Sequence, residues 1–201
     1  MKKLIFCLVW CILLASSCTS QGRYLVGTNC GPFYVGYPYG ARVPYGEGRH
    51  PGIDFDINKG TPIIADSAGE IVYLEEPLPN EWWSGGISVA LAHGERIGSY
   101  YAHLTNVFVK NGQLMKRGQL IGLSGANNSG NQHLHYGIYK RREDASLYSK
   151  TYDPDEYWLE GGPKCFNPGI DYSKYSNEKM TLPVACEEYA KELISKIKIK
   201  D

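Results

Sequence analysis

Between residues 52 and 139 the chain is cut into short β-branched and aromatic runs separated by Gly and Pro turns: GIDFDI, TPIIA, GEIVYLEE, GISVALAH, GSYYAHL, GQLIGLSG and HLHYGIY. Runs this short leave no room for a long helix, and their regular spacing specifies strands. The fold class this predicts is mainly β: a compact antiparallel sheet or barrel-like sandwich whose side chains alternate between two faces. With 43% apolar and 12% aromatic residues among 201, the chain can cover one such core and carry a small appendage.

Alternation gives the last run a chemical meaning. In a strand, His133 and His135 of HLHY point to the same face, side by side. Upstream, RHPGIDF supplies His50 and Asp54. Pro51 and Gly52 between them argue against a helix. A loop entering a strand can bring both groups to one point, with Asp54 on the face opposite Ile53 and Phe55. Read the same way, SYYAHL places Tyr101 and His103 on one face and Ala102 on the other, and His103 alone reads as a core histidine held by a hydrogen bond. Zinc takes His nitrogen, Cys sulfur or carboxylate oxygen, and a catalytic site keeps three protein ligands and one open position. Neither HxxxD nor HxH alone is specific; both on one β-rich unit are far less easily accidental.

The ends read differently. MKK, the apolar run LIFCLVWCILLA and then SSC form the charged, apolar and small-residue regions of an export signal over residues 1–17, too short to span a bilayer comfortably. LASSC resembles the lipobox of bacterial lipoprotein signals, which would make Cys18 a lipidated first residue and residues 18–35 a tether. Loss of Lys2 and Lys3 takes the basic residues from 21 to 19 against 21 acidic ones, a balance that disfavours nucleic acid as a partner. Cys30, Cys165 and Cys186 then remain in a compartment that permits disulfides. Cys165–Cys186 is the preferred pair, closing a loop of about 20 residues worth about 3 kcal/mol; a bridge from Cys30 to either stays open. PVACEEYAKELISKIKIKD is the one clear helix. Cys186, Ala190, Leu193 and Ile197 form its apolar stripe, which is expected to pack on the domain.

HPGIDF, GTPIIADSAGEIV, YYAHL, GQLMKRGQLIGLSG and HLHY, in this order and with DPxxY after them, resemble the lysostaphin-type (LytM-like) zinc peptidases. The resemblance covers roughly residues 36–162 and leaves 163–201 as a C-terminal extension. It implies a β-rich domain with a sheet-lined groove, one Zn²⁺ held by His50, Asp54 and His135, and two metal-free catalytic histidines, His103 and His133. It also implies action on peptide cross-bridges or stem peptides of bacterial cell walls. Gln132 and Gly137 stand where the family often has proline and glutamate, which bears on substrate preference. His93, in LAHGE, reads as structural. Two neutral histidines and one carboxylate would leave the zinc centre a net +1 and strongly Lewis-acidic.

The leading expectation is a lipid-anchored zinc endopeptidase acting on peptidoglycan, at the periplasmic face of an outer membrane or else the outer face of the cytoplasmic membrane. The alternative is a non-enzymatic relative that activates another wall hydrolase; such relatives typically lack ligands, and here none is missing. A third reading is a wall-binding lipoprotein with an empty groove. The bond cleaved stays open between a D,D cross-link, a glycine bridge and a stem terminus. The Tyr- and Gly-rich stretch from Tyr34 to Gly48 reads equally as a rim for the substrate and as a tether.

Overall fold

The computed structural model describes residues 25–26, 33–43, 48–75, 85–140 and 151–198. Cys18, Cys30 and the export signal expected over residues 1–17 lie outside them. The strands are β1 (Leu25–Val26), β2 (Phe33–Tyr37), β3 (Ile53–Asp56), β4 (Pro62–Ile64), β5 (Gly69–Glu75), β6 (Ile87–Ala92), β7 (Ile97–Val107), β8 (Leu114–Met115), β9 (Leu120–Ala126), β10 (Gln132–Lys140) and β11 (Thr151–Tyr152), followed by one helix, α1 (Glu187–Lys198). All belong to one antiparallel sheet whose path runs β1-β2-β3-β10-β9-β7-β6-β5-β8, so the mainly β expectation holds and each of the seven runs contains a strand.

β10 is the hub. It pairs with β3, β7, β9 and β11. Leu134, Tyr136 and Ile138 are fully buried beneath it and leave the alternate positions, His133 and His135, to the other face. The core under the sheet also takes Ile53, Phe55, Ile71, Leu91, Leu104 and Ile121.

The stretch after residue 162 packs into this core rather than beside it. Met180, Leu182 and Val184 sit in the same apolar cluster as the strands. Backbone bridges tie Trp158 to Met180, Ile63 to Val184 and Phe166 to Ala185. Cys165 and Cys186 are joined by a disulfide, which clamps the two ends of this strap. Leu193 of α1 is buried against Ile64, Phe166 and Ala185, as the helix stripe predicts.

One expected placement fails. Tyr101 and His103 do not share a face. Tyr101 is fully buried in the core opposite Tyr136, whereas the His103 ring lies 4.5 Å from that of His133 on the other side of the sheet. The reason is local: His103 has φ +63°, the one left-handed non-glycine among the described residues. β7 also carries an extra residue there, since Tyr101 to Leu104 lies opposite Val89 to Ile87. The bulge turns the imidazole over. Gly86, itself at φ +69°, makes room for it; a Cβ there would stand 2.6 Å from the His103 backbone.

His93 is structural in its contacts. It is buried, with Nδ1 2.8 Å from the Ala68 carbonyl oxygen and Nε2 2.7 Å from Ser99 Oγ.

Separating Cys165 from Cys186 by a Cys186→Ser substitution removes a cross-link across 21 positions. It is expected to lower unfolding free energy by about 3 kcal/mol, read as an earlier urea midpoint than in the oxidised parent.

Candidate metal centre

Asp54 and His135 are direct neighbours across the β3–β10 ladder, so strand pairing alone sets them side by side. His50 enters from the preceding loop, held by backbone hydrogen bonds from Gly40 N to its carbonyl and from its own N to Ala41 O. Three donor atoms converge. His50 Nε2 is 3.0 Å from His135 Nδ1 and 3.1 Å from Asp54 Oδ1, and His135 Nδ1 is 2.9 Å from Asp54 Oδ1. A tetrahedral ion with metal–ligand bonds near 2.0–2.1 Å asks for donor separations of about 3.3 Å, so this triangle fits zinc after a small expansion. The same three residues are the only such set among the described residues.

Two further features fit a metal. His50 Nδ1 lies 3.2 Å from the Pro38 carbonyl oxygen, and donating its proton there leaves Nε2 as a lone-pair donor. His135 faces the others through Nδ1, and the opposite edge of its ring rests on Gly52. A Cβ at Gly52 would meet the Tyr136 carbonyl oxygen at 2.3 Å and His135 Nε2 at 3.0 Å. His50 is 3% exposed, against 12% for His133 and 15% for His135, so solvent reaches the centre from the β10 side.

The two remaining histidines stand on that open side. His133 Nδ1 is 3.0 Å from the Asn131 carbonyl oxygen, which directs Nε2 inward, 3.9 Å from Asp54 Oδ2. His103 Nδ1 lies 2.7 Å from the Gly85 carbonyl oxygen, so in the neutral ring Nε2 is the acceptor. The His103 ring is 4.5 Å from that of His133 and 6.3 Å from that of His135. All five residues singled out by HxxxD, YxHL and HxH therefore meet in one place. The carbonyls of Pro38, Gly85 and Asn131, which set the three tautomers, carry no signature in sequence.

Burial disfavours the Asp54 carboxylate, and the hydrogen bonds with His135 and His50 more than offset this, holding the carboxyl well below its usual range. Burial and the neighbouring His133 lower His103 to about 4, so it is a neutral base at pH 7.

The chain resembles known proteins over this same region. The model of Peptidase family M23 matches residues 48–147. "Uncharacterized lipoprotein YgeR" of Escherichia coli is 33% identical over 127 residues, 61% of this chain and 46% of that one. Peptidoglycan DD-endopeptidase ShyA of Vibrio cholerae is 38% identical over 95 residues, 46% of this chain and 20% of that one. Among solved structures, the antimicrobial peptidase lysostaphin from Staphylococcus simulans superposes with a TM-score of 0.51 at 32% identity, covering 64% of this chain and 53% of that one. The chain thus spans less than half the length of either curated relative.

Gly52→Ala is expected to displace His135 and weaken zinc binding at least tenfold in a competition titration with a chromophoric chelator, with the fold retained by circular dichroism. The second expectation concerns pH. His103 titrates near 4 when folded and near 6.5 when unfolded, so the unfolded chain binds more protons between these values. Its contribution, about 3 kcal/mol, is complete above pH 6.5 and is lost as pH falls towards 4. In metal-free protein, His103→Asn should show a smaller drop in Tm over this window than the parent.

Proposed function

Because the chain belongs to peptidase family M23, we propose that it is a zinc-dependent endopeptidase that hydrolyses peptide bonds in peptidoglycan cross-links or stem peptides. The observation that carries this reading is the complete donor triangle of His50, Asp54 and His135 with two further histidines on its solvent side. A relative named as a peptidoglycan DD-endopeptidase supports the substrate class. Bound zinc supplies a Lewis acid that lowers the pKa of water and polarises a carbonyl.

The chain's own residues supply the rest. His50, Asp54 and His135 would hold the ion. His133, with Nδ1 bonded to Asn131 O, presents Nε2 towards Asp54, and that nitrogen can take a proton from the attacking water. His103, fixed by the Gly85 carbonyl, presents its own Nε2 beside it, able to orient the water or, once protonated, to stabilise charge on the carbonyl oxygen. Two histidines so placed divide proton removal from proton delivery. The exposed edges of His133 and His135 mark the side from which an extended peptide approaches.

We infer a place in the cell envelope, with Cys18 as a lipid anchor. The signal-like residues 1–17 and the similarity to a protein named as a lipoprotein support it.

The deciding experiment digests purified cross-linked peptidoglycan with soluble protein, with and without chelator, and identifies the products by mass. Chelator-sensitive cleavage of peptide bonds is expected. No such product from walls of several compositions rejects the enzyme and favours an activator of another hydrolase. Within the enzyme, His133→Ala should retain zinc and lose at least 10²-fold in kcat, whereas Asp54→Ala should lose both. Metal analysis of a His133→Ala protein that had lost its zinc would overturn this division of roles.

A further inference from the structure

On the core side of β7 and β10 lies a polar cluster that the peptidase chemistry does not use. Its middle is Asp66, which is fully buried. The carboxylate accepts hydrogen bonds from Ser99 Oγ, from Tyr136 OH and, at 2.7 Å, from Tyr101 OH. His93 Nε2 stands 3.3 Å from the same carboxylate. The backbone of Asp66 is tied as well, its carbonyl accepting from Arg117, from Thr181 N at 3.0 Å and from Thr181 Oγ1 at 3.1 Å. A buried carboxylate among so many donors costs desolvation, and apolar packing would serve stability as well. What such a network supplies is a single geometry.

The geometry it fixes is that of the two strands bearing the site. Tyr136 follows the ligand His135 directly, Tyr101 comes two residues before His103, and the two tyrosines are register partners. The β7–β10 ladder ends one pair further on, at Ala102–His135. Past that point β10 turns to β9 through His133–Gly125, and β7 turns to β9 through Leu104–Ser124. His135 therefore sits in the last pair of that ladder, and His103 and His133 lie just past it, where the two strands part. On the core side, one pair before that point, the tyrosine hydroxyls that meet on Asp66 tie the two strands together.

We propose that Asp66 is a positioning residue for the metal centre, fixing through Tyr101 and Tyr136 the separation of His103 from His133 and His135. This rests on the peptidase reading above, yet one of its readouts does not need the reaction. The experiment uses the full folded domain with Asp66→Asn, which keeps size and removes charge, and the milder pair Tyr101→Phe and Tyr136→Phe, singly and together. Zinc affinity is measured by chelator competition, and kcat and KM on cross-linked peptidoglycan fragments, at a temperature where each variant is folded.

The expected result for Asp66→Asn is about tenfold weaker zinc binding and a kcat lowered tenfold or more, with KM within twofold. The Tyr101→Phe/Tyr136→Phe double variant reproduces this, and adding Asp66→Asn to it changes little further. A lowered Tm with parental zinc affinity and parental kcat would show a structural role alone and overturn the proposal. Should Asp66→Asn fail to fold, the double Phe variant decides by the same measures. Should the parent hydrolyse no wall material, the enzyme reading falls, and the zinc affinities still decide whether Asp66 positions the site.

Discussion

Three lone-pair donors held within about 3 Å of one another form the interaction on which the rest depends. In the tautomers that bind metal, His50 Nε2, His135 Nδ1 and Asp54 Oδ1 are all acceptors, and acceptors so close repel unless a cation or a proton lies between them. No local propensity of the chain favours that arrangement. It is imposed by the β3–β10 pairing, which sets Asp54 opposite His135, and by the backbone bonds from Gly40 and to Ala41 that pin His50. A divalent ion bound there would relieve this repulsion and would couple metal affinity to the fold.

The candidate site draws on three strands: β3 and β10 carry Asp54, His133 and His135, while His103 arrives from β7 by a left-handed residue in a bulge. Such a conformation is uncommon for a non-glycine residue and costs free energy, so neighbours must over-determine it. They do: the Gly85 carbonyl takes the Nδ1 proton, and Gly86 gives the backbone room to approach. The same burial that secures the ring keeps it neutral, as a proton acceptor at neutral pH requires.

Period-two reading was enough to join His133 with His135 and to put Asp54 opposite Ile53 and Phe55, because β10 and β3 are regular there. It failed at Tyr101 and His103, where the strand is irregular and one extra residue reverses the alternation. The α1 stripe was legible from its 3.6-residue period, and Leu193 packs accordingly. The burial of Met180 and Leu182 was not legible, since an irregular strap has no period to read. Asp66 gave no cue either: a lone aspartate in a Gly- and Ser-containing turn reads as solvated, and only the converging hydroxyls of Tyr101, Tyr136 and Ser99 show otherwise.

Those observations link the C-terminal strap to the chemistry. A buried carboxylate keeps its hydrogen bonds only while water is excluded, because water competes for each donor. Met180 and Leu182 flank Thr181, whose N and Oγ1 both bind the Asp66 carbonyl, and all three are fully buried. The strap that carries them is clamped at its ends by Cys165–Cys186 and by Leu193 docking on Ile64. In an oxidising compartment the clamp is closed as part of folding. The strap then acts as a lid on the cluster that underlies β7 and β10, the two strands that carry His103, His133 and His135.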